Sequence, residues 1–345
     1  MTRVYVGMSG GVDSSLTAAL LVEQGYDVTG VYMKNWTQDL PGMRCPWADD
    51  LADAKRVAVQ LGIDFKVFDF ESEYKHKVVD YMLDEYKAGR TPNPDIMCNQ
   101  EVKFKLFLET ALENGADMIA TGHYARVENG VLKQAKDTNK DQTYFLYRVT
   151  QEALAKTLFP LGEFTKPEVR EMAKERGLYT ASKKDSQGIC FVGKVGIREF
   201  LSQYVEQKPG EIIDKLTEKV LGHHDGAIFY TLGQRHGLEL GGGLPYYVVG
   251  KDMDKNEVYI TTDLNDQSLW KSKVTLVNSH FINENPTEGE YDIRVRHRAP
   301  LIKAKLSYGG EDVVLELVNP ERAVAAGQSV VIYQGDICLG GGIVA

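Results

Sequence analysis

Gly7-Met8-Ser9-Gly10-Gly11-Val12-Asp13-Ser14-Ser15 is the stretch around which this 345-residue chain is organised. The apolar run Val4-Tyr5-Val6 before it reads as a buried strand. Leu16, Ala19, Leu20 and Val22 after it recur at helical spacing, so a helix begins at or just after Val12. A glycine-rich turn between a strand and a helix N-terminus is an anion site. Gly10 and Gly11 let the backbone come close to a phosphate, and the free N–H groups and helix dipole point at it.

No Gly-Lys-Ser or Gly-Lys-Thr closes the loop, which excludes a Walker A sequence, and the third glycine of the dinucleotide fingerprint is missing. Ser9-Gly10-Gly11-Val12-Asp13-Ser14 resembles the pyrophosphate loop, SGGxDS, of the N-type ATP pyrophosphatases. That resemblance implies ATP cleaved between its α and β phosphates and a carbonyl oxygen adenylated. The plain alternative is a Gly/Ser turn that only joins a strand to a helix.

The rest of the first half alternates. Val28 to Met33 and Phe65 to Phe70 read as strands, as does Met118-Ile119-Ala120. Helical faces run through Leu51, Ala54, Val57, Ala58 and Leu61, through Val78, Tyr81, Met82 and Tyr86, and through Phe104, Phe107, Leu108 and Ala111. This is the pattern of an α/β fold, a doubly wound parallel sheet with helices on both faces. Ligands sit at the carboxyl ends of such strands, where Gly7, Met33 and Gly122 fall. A hairpin is expected around Asn129-Gly130, and Pro167 opens a short helix that Gly177 closes. The expected domains are residues 1–205, a small mostly-β central domain over 206–272, and a C-terminal antiparallel β-barrel over 273–345. In the central part Ala227 to Thr231, Tyr246 to Gly250 and Glu257 to Thr261 are expected strands.

An apolar fraction of 43% and a charged fraction of 26% are those of a soluble protein. No apolar run spans a bilayer, and no secretion signal precedes the first strand, so a cytoplasmic protein is expected. The four cysteines Cys45, Cys98, Cys190 and Cys338 form no C-x-x-C pair, which argues against a disulfide scaffold or a cysteine-rich zinc site. The net charge of −9 argues mildly against a nucleic-acid partner, although one basic face suffices.

Two further stretches carry reactive side chains. In Asn93-Pro94-Asp95-Ile96-Met97-Cys98-Asn99 the prolines stiffen a loop, and Cys98 is expected just before a helix that begins near Asn99. There its thiolate is stabilised by the helix N-terminus, with Asp95 as a local proton acceptor. Equally open on local grounds, Asp95 or Asn99 is only an N-cap and Cys98 only a buried residue. In Asp185-Ser186-Gln187-Gly188-Ile189-Cys190-Phe191-Val192-Gly193 the thiol of Cys190 lies in a loop flanked by glycines. Cys338 reads as core. Cys45 precedes Pro46 in a loop, and no role is assigned to it.

These stretches together resemble the bacterial tRNA-specific 2-thiouridylases. The resemblance runs from the pyrophosphate loop through the Asn93-Pro94-Asp95 loop with Cys98, Ala120-Thr121-Gly122-His123-Tyr124 and Lys140-Asp141-Gln142-Thr143-Tyr144-Phe145. It continues through the Ser186 to Gly193 loop and Phe229 to Arg235 to the final Cys338-Leu339-Gly340-Gly341-Gly342-Ile343. It is carried by the joint order of these motifs, since the loop alone also fits other adenylating enzymes.

The resemblance implies that Gly7, Met8, Ser9, Gly10, Gly11, Val12, Asp13 and Ser14 hold ATP, with Met33 and Gly122 beside the adenosine. Asn93, Pro94 and Asp95 border the target base, Asp95 acts as general base or acid, Cys98 is the nucleophile and Cys190 the persulfide carrier. His123, Lys140, Asp141, Gln142, Arg296, His297 and Gln328 match positions at the bound tRNA. The implied reaction adenylates O2 of the wobble uridine in tRNAs for lysine, glutamate and glutamine and replaces it with sulfur. ATP and Mg²⁺ are the implied cofactors, and the sulfur comes from a cysteine desulfurase or a sulfur-relay protein. Two alternatives stay open: thiolation through an iron–sulfur cluster, and another adenylating ligase or amidotransferase on the same loop. Disulfide formation needs Cα atoms within about 7 Å, so the Cys190 loop is expected to move. Arg294, Arg296 and Arg298 are expected on one strand face as a phosphate-binding stripe. Lys183-Lys184 is read as a basic patch, and His223-His224-Asp225 is not read as a metal site.

Overall fold

The structure is a computed structural model, and it describes residues 1–39, 45–184, 196–241, 243 and 245–345. Its first layer is a five-stranded parallel sheet. The strands lie side by side in the order Asp64–Asp69, Asp27–Lys34, Arg3–Gly7, Met118–Ala120, Thr157–Leu158. Period-two alternation in Arg3–Gly7 divides its side chains between two cores. Val4 and Val6 pack on one face with Ala18, Leu21, Ala54 and Val57, whereas Tyr5 packs on the other with Phe107, Ala111 and Ile119. The chain winds outward from Arg3–Gly7 in one direction, then returns to place Met118–Ala120 on its other side. The switch point therefore falls where Gly7 and Ala120 end their strands, and the helix Val12–Glu23 starts above it.

The helix that carries Cys98 starts earlier than the sequence suggests. It runs without a break from Pro94 as an α-turn, Pro94–Met97, then a π-helical stretch, Cys98–Leu106, then α again, Phe107–Glu113. Asn93 is the N-cap. Its side-chain oxygen accepts from the backbone N–H of Asp95 at 3.1 Å and of Ile96 at 3.3 Å, and Pro94 occupies the first helical position, where no N–H is needed. Cys98 thus lies a full turn inside the helix, so the expectation of a thiol at the N-terminus is corrected.

The hairpin Arg126–Glu128 and Val131–Lys133 turns through Asn129 at φ 52° and Gly130 at φ 76°, the left-handed pair such a tight turn requires. Lys133 pairs with Ile337, which adds this hairpin to the C-terminal sheet. The helix Lys166–Glu175 is opened by a capping box between Thr165 and Glu168, and Gly177 follows it at φ 60°.

The central sheet has the order Tyr247–Asp252, Glu257–Thr261, Gly210–Asp214, Val220–His224. Ala227 to Thr231 is not a strand: Ala227–Phe229 is a single 3₁₀ turn. The reason is local. The N–H groups of Phe229 and Tyr230 bond back to Gly226 and Ala227, that of Ala227 bonds to the Asn256 side chain and that of Thr231 to the Gln234 side chain, which takes four donors of this stretch away from a ladder.

The C-terminal strands form a closed six-stranded antiparallel barrel. Around it run Trp270–Phe281, Asp312–Arg322, Ile302–Gly309, Gly289–Arg294, Ser329–Gln334 and Ile337–Val344, and pairing of Leu276 with Val344 closes the ring. Val274, Leu276, Ile293, Leu306, Leu315 and Ile332 fill the interior. The arginine stripe is corrected. The strand ends at Arg294, the chain turns back where Ala299 N–H bonds to the Arg296 carbonyl, and the period of two stops there. Arg294 is buried, Arg296 pairs with Glu321 at 3.0 Å, and Arg298 adopts φ 63°. No helix among the described residues is long and apolar enough to cross a membrane.

Candidate active site

The loop Gly7 to Ser14 is stiffened from within. Ser9 N–H donates to the Ser14 hydroxyl at 3.2 Å, the Ser14 hydroxyl donates to the Gly11 carbonyl at 3.2 Å, and that of Ser15 reaches the same carbonyl at 2.8 Å. Gly10 sits at φ 71°, in close contact with the backbone of Asp50, so no side chain fits there. Gly122 approaches from the neighbouring strand so closely that a Cβ on it would lie 2.8 Å from the Ser14 nitrogen.

Asp13 is held by two side chains far away in sequence. Lys166 Nζ donates to its two carboxylate oxygens at 2.7 and 2.8 Å, and the Tyr124 hydroxyl donates at 2.8 Å. Sequence reasoning missed Lys166. A separation of 153 residues leaves no periodic signal, and only the packing of the helix Lys166–Glu175 against Val12–Glu23 brings the pair together.

This loop opens on a cleft of about 420 Å³. Of the residues expected to hold ATP, Gly7, Met8, Ser9, Gly11, Val12, Asp13, Ser14, Met33 and Gly122 line it. Asp95, His123, Lys140, Gln142 and His297 line the same cleft. Tyr32, Trp47, Asp50 and Lys103 line it too, and the sequence did not single these out; Asn99, Phe145 and Arg298, which it named in other connections, line it as well. Asn99 is buried; its Nδ2 donates to the Phe145 carbonyl at 3.0 Å, while its Oδ1 has no partner among the described residues.

Several expected site residues act from behind this lining. Asn93 and Pro94 start the helix that carries Asp95. Cys98 is fully buried in the apolar core beneath it. Gln328 donates to the Thr91 carbonyl at 3.3 Å; Thr91 also bonds through its N–H to the Ala326 carbonyl at 2.8 Å, and its hydroxyl meets that of Thr231 at 3.2 Å. The segment entering Asn93 is therefore clamped by the barrel and the central region together. Asp141 is buried, bonded to Arg294, to the Thr143 hydroxyl and to the Ala135 N–H. Arg296 is exposed beside Glu321. Cys190 and the Asp185 to Gly193 loop lie outside the described residues. Cys338 is core, as read from sequence, with burial pushing its thiol far up. Cys45 is buried too, and its thiol is also pushed up by burial. Lys183 is bound to Asp50 and Asp53, both at 2.7 Å, which leaves Lys184 as the member of that basic pair that lines the cleft.

Electrostatics distinguish the two histidines of the cleft. His123 packs against Phe104 and Phe159, and its Nδ1 shares a 2.8 Å hydrogen bond with the Thr121 hydroxyl. Burial, helped by the Lys103 cation, holds it well below the usual histidine range. His297 stacks on Phe145 with ring centroids 4.4 Å apart. Burial, then the cations of Arg298 and Arg294, push it down to about 4. Both rings are neutral at pH 7, so they offer stacking and hydrogen bonds rather than charge.

Three family models match the chain in sequence: a tRNA methyl transferase HUP domain over residues 2–194, a tRNA methyl transferase PRC-barrel domain over 198–262 and an aminomethyltransferase β-barrel domain over 271–344. Full-length relatives carry a different activity in their names. The tRNA-specific 2-thiouridylase MnmA of Bacillus licheniformis is 48% identical, covering 99% of this chain and 95% of its own. That of Bacillus cereus is 49% identical, covering 99% and 94%. The chain belongs to the tRNA-specific 2-thiouridylase family. Membership of the 2-thiouridylases gives the layout of the cleft a chemical sense. The glycine-rich loop and Asp95 line one cleft, together with Lys140 and with Arg298 from the turn that follows a barrel strand.

Proposed function

We propose that this chain is an ATP-dependent tRNA sulfurtransferase that converts the wobble uridine to 2-thiouridine. The observation that carries the reading is that the Ser9 to Ser14 loop, Asp95, Lys140 and Arg298 line one cleft. ATP lies with its phosphates on the loop and its adenosine beside Met33 and Gly122. The uridine O2 attacks the α-phosphorus and pyrophosphate leaves, which turns a poor leaving group into a good one. Loop N–H groups stabilise the charge that develops on the pyrophosphate. Asp95 accepts or returns the proton at the base. Asp13 is engaged by Lys166 and Tyr124, so a Mg²⁺ ion would be held chiefly by phosphate oxygens and water, where it would neutralise phosphate charge.

The terminal sulfur of a Cys190 persulfide then attacks C2, and AMP departs. The Cys98 thiolate attacks Cys190 Sγ, the S–S bond breaks with its electron pair on the transferred sulfur, and a Cys98–Cys190 disulfide remains for a cellular thiol to reduce. Cys98 is fully buried, so its thiol must be uncovered before it attacks. The sulfur donor is a cysteine desulfurase or its relay protein, the substrates are tRNAs for lysine, glutamate and glutamine, and the reaction takes place in the cytoplasm.

The test is mass spectrometry of wobble nucleosides from tRNA incubated with enzyme, ATP and a sulfur donor. 2-Thiouridine together with AMP and pyrophosphate is the expected result. Full thiolation by Cys98→Ala or Cys190→Ala overturns the two-cysteine route. Iron and sulfide found in stoichiometric amount after anaerobic purification would replace the persulfide by a cluster. ATP cleavage that does not depend on tRNA would favour a different adenylating ligase.

A further inference from the structure

Asp95, Asn99 and Lys103 recur every fourth position along the helix that starts at Pro94, and all three line the cleft. Ile96, Cys98, Val102 and Phe104 between and beyond them are packed in the core. The helix therefore turns a narrow polar face to the cleft. On that face Asn99 is only 2% exposed, its Nδ2 donates to the Phe145 carbonyl at 3.0 Å, and its Oδ1 has no partner among the described residues. A carbonyl oxygen only accepts, so this bond fixes which way the amide is turned. The nitrogen is spent on Phe145, and the oxygen is the group left to offer. A buried acceptor without a donor is unfavourable, and π-helical turns such as those of Cys98–Leu106 recur at functional sites. Phe145 lines the same cleft, its ring 4.4 Å from that of His297, so the acceptor shares the cleft with an aromatic pair on which a base can stack.

We propose that Asn99 selects uracil, its Oδ1 accepting the hydrogen bond of the base's N3–H. The inference rests on the thiolation reading above and adds the residue that tells the target base from cytosine. Uracil carries N3–H beside the reactive O2, whereas cytosine carries a lone pair at N3 beside the same O2. Held by Phe145, the Asn99 amide is not free to turn over for cytosine, which would set two acceptors against each other in a buried site. The amide oxygen takes a hydrogen bond and not the proton. Removal of the N3 proton when O2 is adenylated therefore stays with Asp95, one turn earlier on the same face. The uncovering that the Cys98 thiol needs, one residue away, opens the acceptor as well. The amino group of adenine in ATP is also a donor, and the experiment separates the two bases.

Asn99→Leu removes the acceptor at similar volume, and Asn99→Asp keeps an acceptor toward the base in either protonation state. Each full-length chain is given ATP and tRNA with uridine or cytidine at the wobble position. The kcat/KM for pyrophosphate release is measured on both tRNAs, and the KM for ATP separately. Wild type is expected to prefer uridine. In Asn99→Leu the ratio of uridine to cytidine is expected to fall about tenfold with the ATP KM unchanged. Asn99→Asp is expected to keep the uridine preference even where its absolute rate drops. A merely structural role lowers both substrates alike, so a wild-type ratio in Asn99→Leu overturns the inference. Equal rates of wild type on the two tRNAs overturn it too, as does a raised ATP KM with the ratio intact, which assigns the acceptor to adenine. Should circular dichroism show Asn99→Leu unfolded, Asn99→Asp decides, and loss of the uridine preference there overturns the inference. If wild type releases no pyrophosphate with the uridine tRNA, the proposed function falls and the selection with it. If it does and the ratio survives Asn99→Leu, only the selection falls.

Discussion

Arg294 Nη1 lies 2.9 Å from Asp141 Oδ2, with the two side chains 9% and 1% exposed. The pair joins the last residue of a barrel strand to the Lys140-Asp141-Gln142 loop of the first region. Asp141 also binds the Thr143 hydroxyl and the Ala135 N–H, so its carboxylate is fully engaged. Its position is that of a clamp. It holds Lys140 and Gln142 at the cleft from behind rather than meeting a ligand itself.

Removing one partner of such a pair strands the other charge. Asp141→Ala is expected to cost about 3–5 kcal/mol of stability, read from chemical denaturation, while Asp141→Ala with Arg294→Met recovers much of that loss. If the single substitution leaves stability and tRNA affinity unchanged, the clamp is refuted.

Lys166 should control how the pyrophosphate loop holds its nucleotide. Lys166→Met removes a charged hydrogen bond to Asp13, worth about 2 kcal/mol. That is roughly 30-fold in kcat/KM for ATP. Lys166→Arg is expected to restore part of it, because the charge is kept. Pyrophosphate release with tRNA present is the readout.

Gly122→Ala places a Cβ 2.8 Å from the Ser14 nitrogen, and the contacted atom is backbone at the head of a helix, not a side chain that swings away. The loop must shift. A displacement of this kind costs on the order of 100-fold in ATP-dependent turnover. Circular dichroism is expected to show the fold retained, which separates a displaced loop from an unfolded protein.

The acid limb of stability carries the mark of His297. Its folded-state value is depressed from 6.5 to about 4, chiefly by burial. The unfolded chain therefore binds the proton first. This contribution is complete above pH 6.5, declines as the pH falls below it, and is lost by about pH 4. His297→Gln is expected to flatten the fall in melting temperature across that window and to leave the alkaline side unchanged.

The sequence made the nucleotide half of the site legible because that half is local. Strand, glycine turn and helix follow one another within residues 3–23, and each follows from short-range sterics and periodicity. The parallel sheet, the Asn129-Gly130 hairpin and the Pro167 helix were legible for the same reason. The start of the Cys98 helix was misread because Asn93 and Pro94 together outcompete Asn99 as a start signal, a contest between caps that spacing alone does not rank. The arginine stripe failed because period two holds only while the chain remains a strand, and the strand stops at Arg294.

By itself, then, the sequence determined the order of the motifs and the chemistry each is able to do: a phosphate loop, an acid–thiol segment and a basic C-terminal segment. The tertiary structure alone decided which charges are spent and which are offered. Lys166 is consumed by Asp13, Lys183 by Asp50 and Asp53, Arg294 by Asp141 and Arg296 by Glu321, while Arg298 lines the cleft. The physical reason is that an ion pair forms between groups that folding brings within a few ångströms, here across separations as long as 153 residues, and no local pattern in the chain records such a meeting.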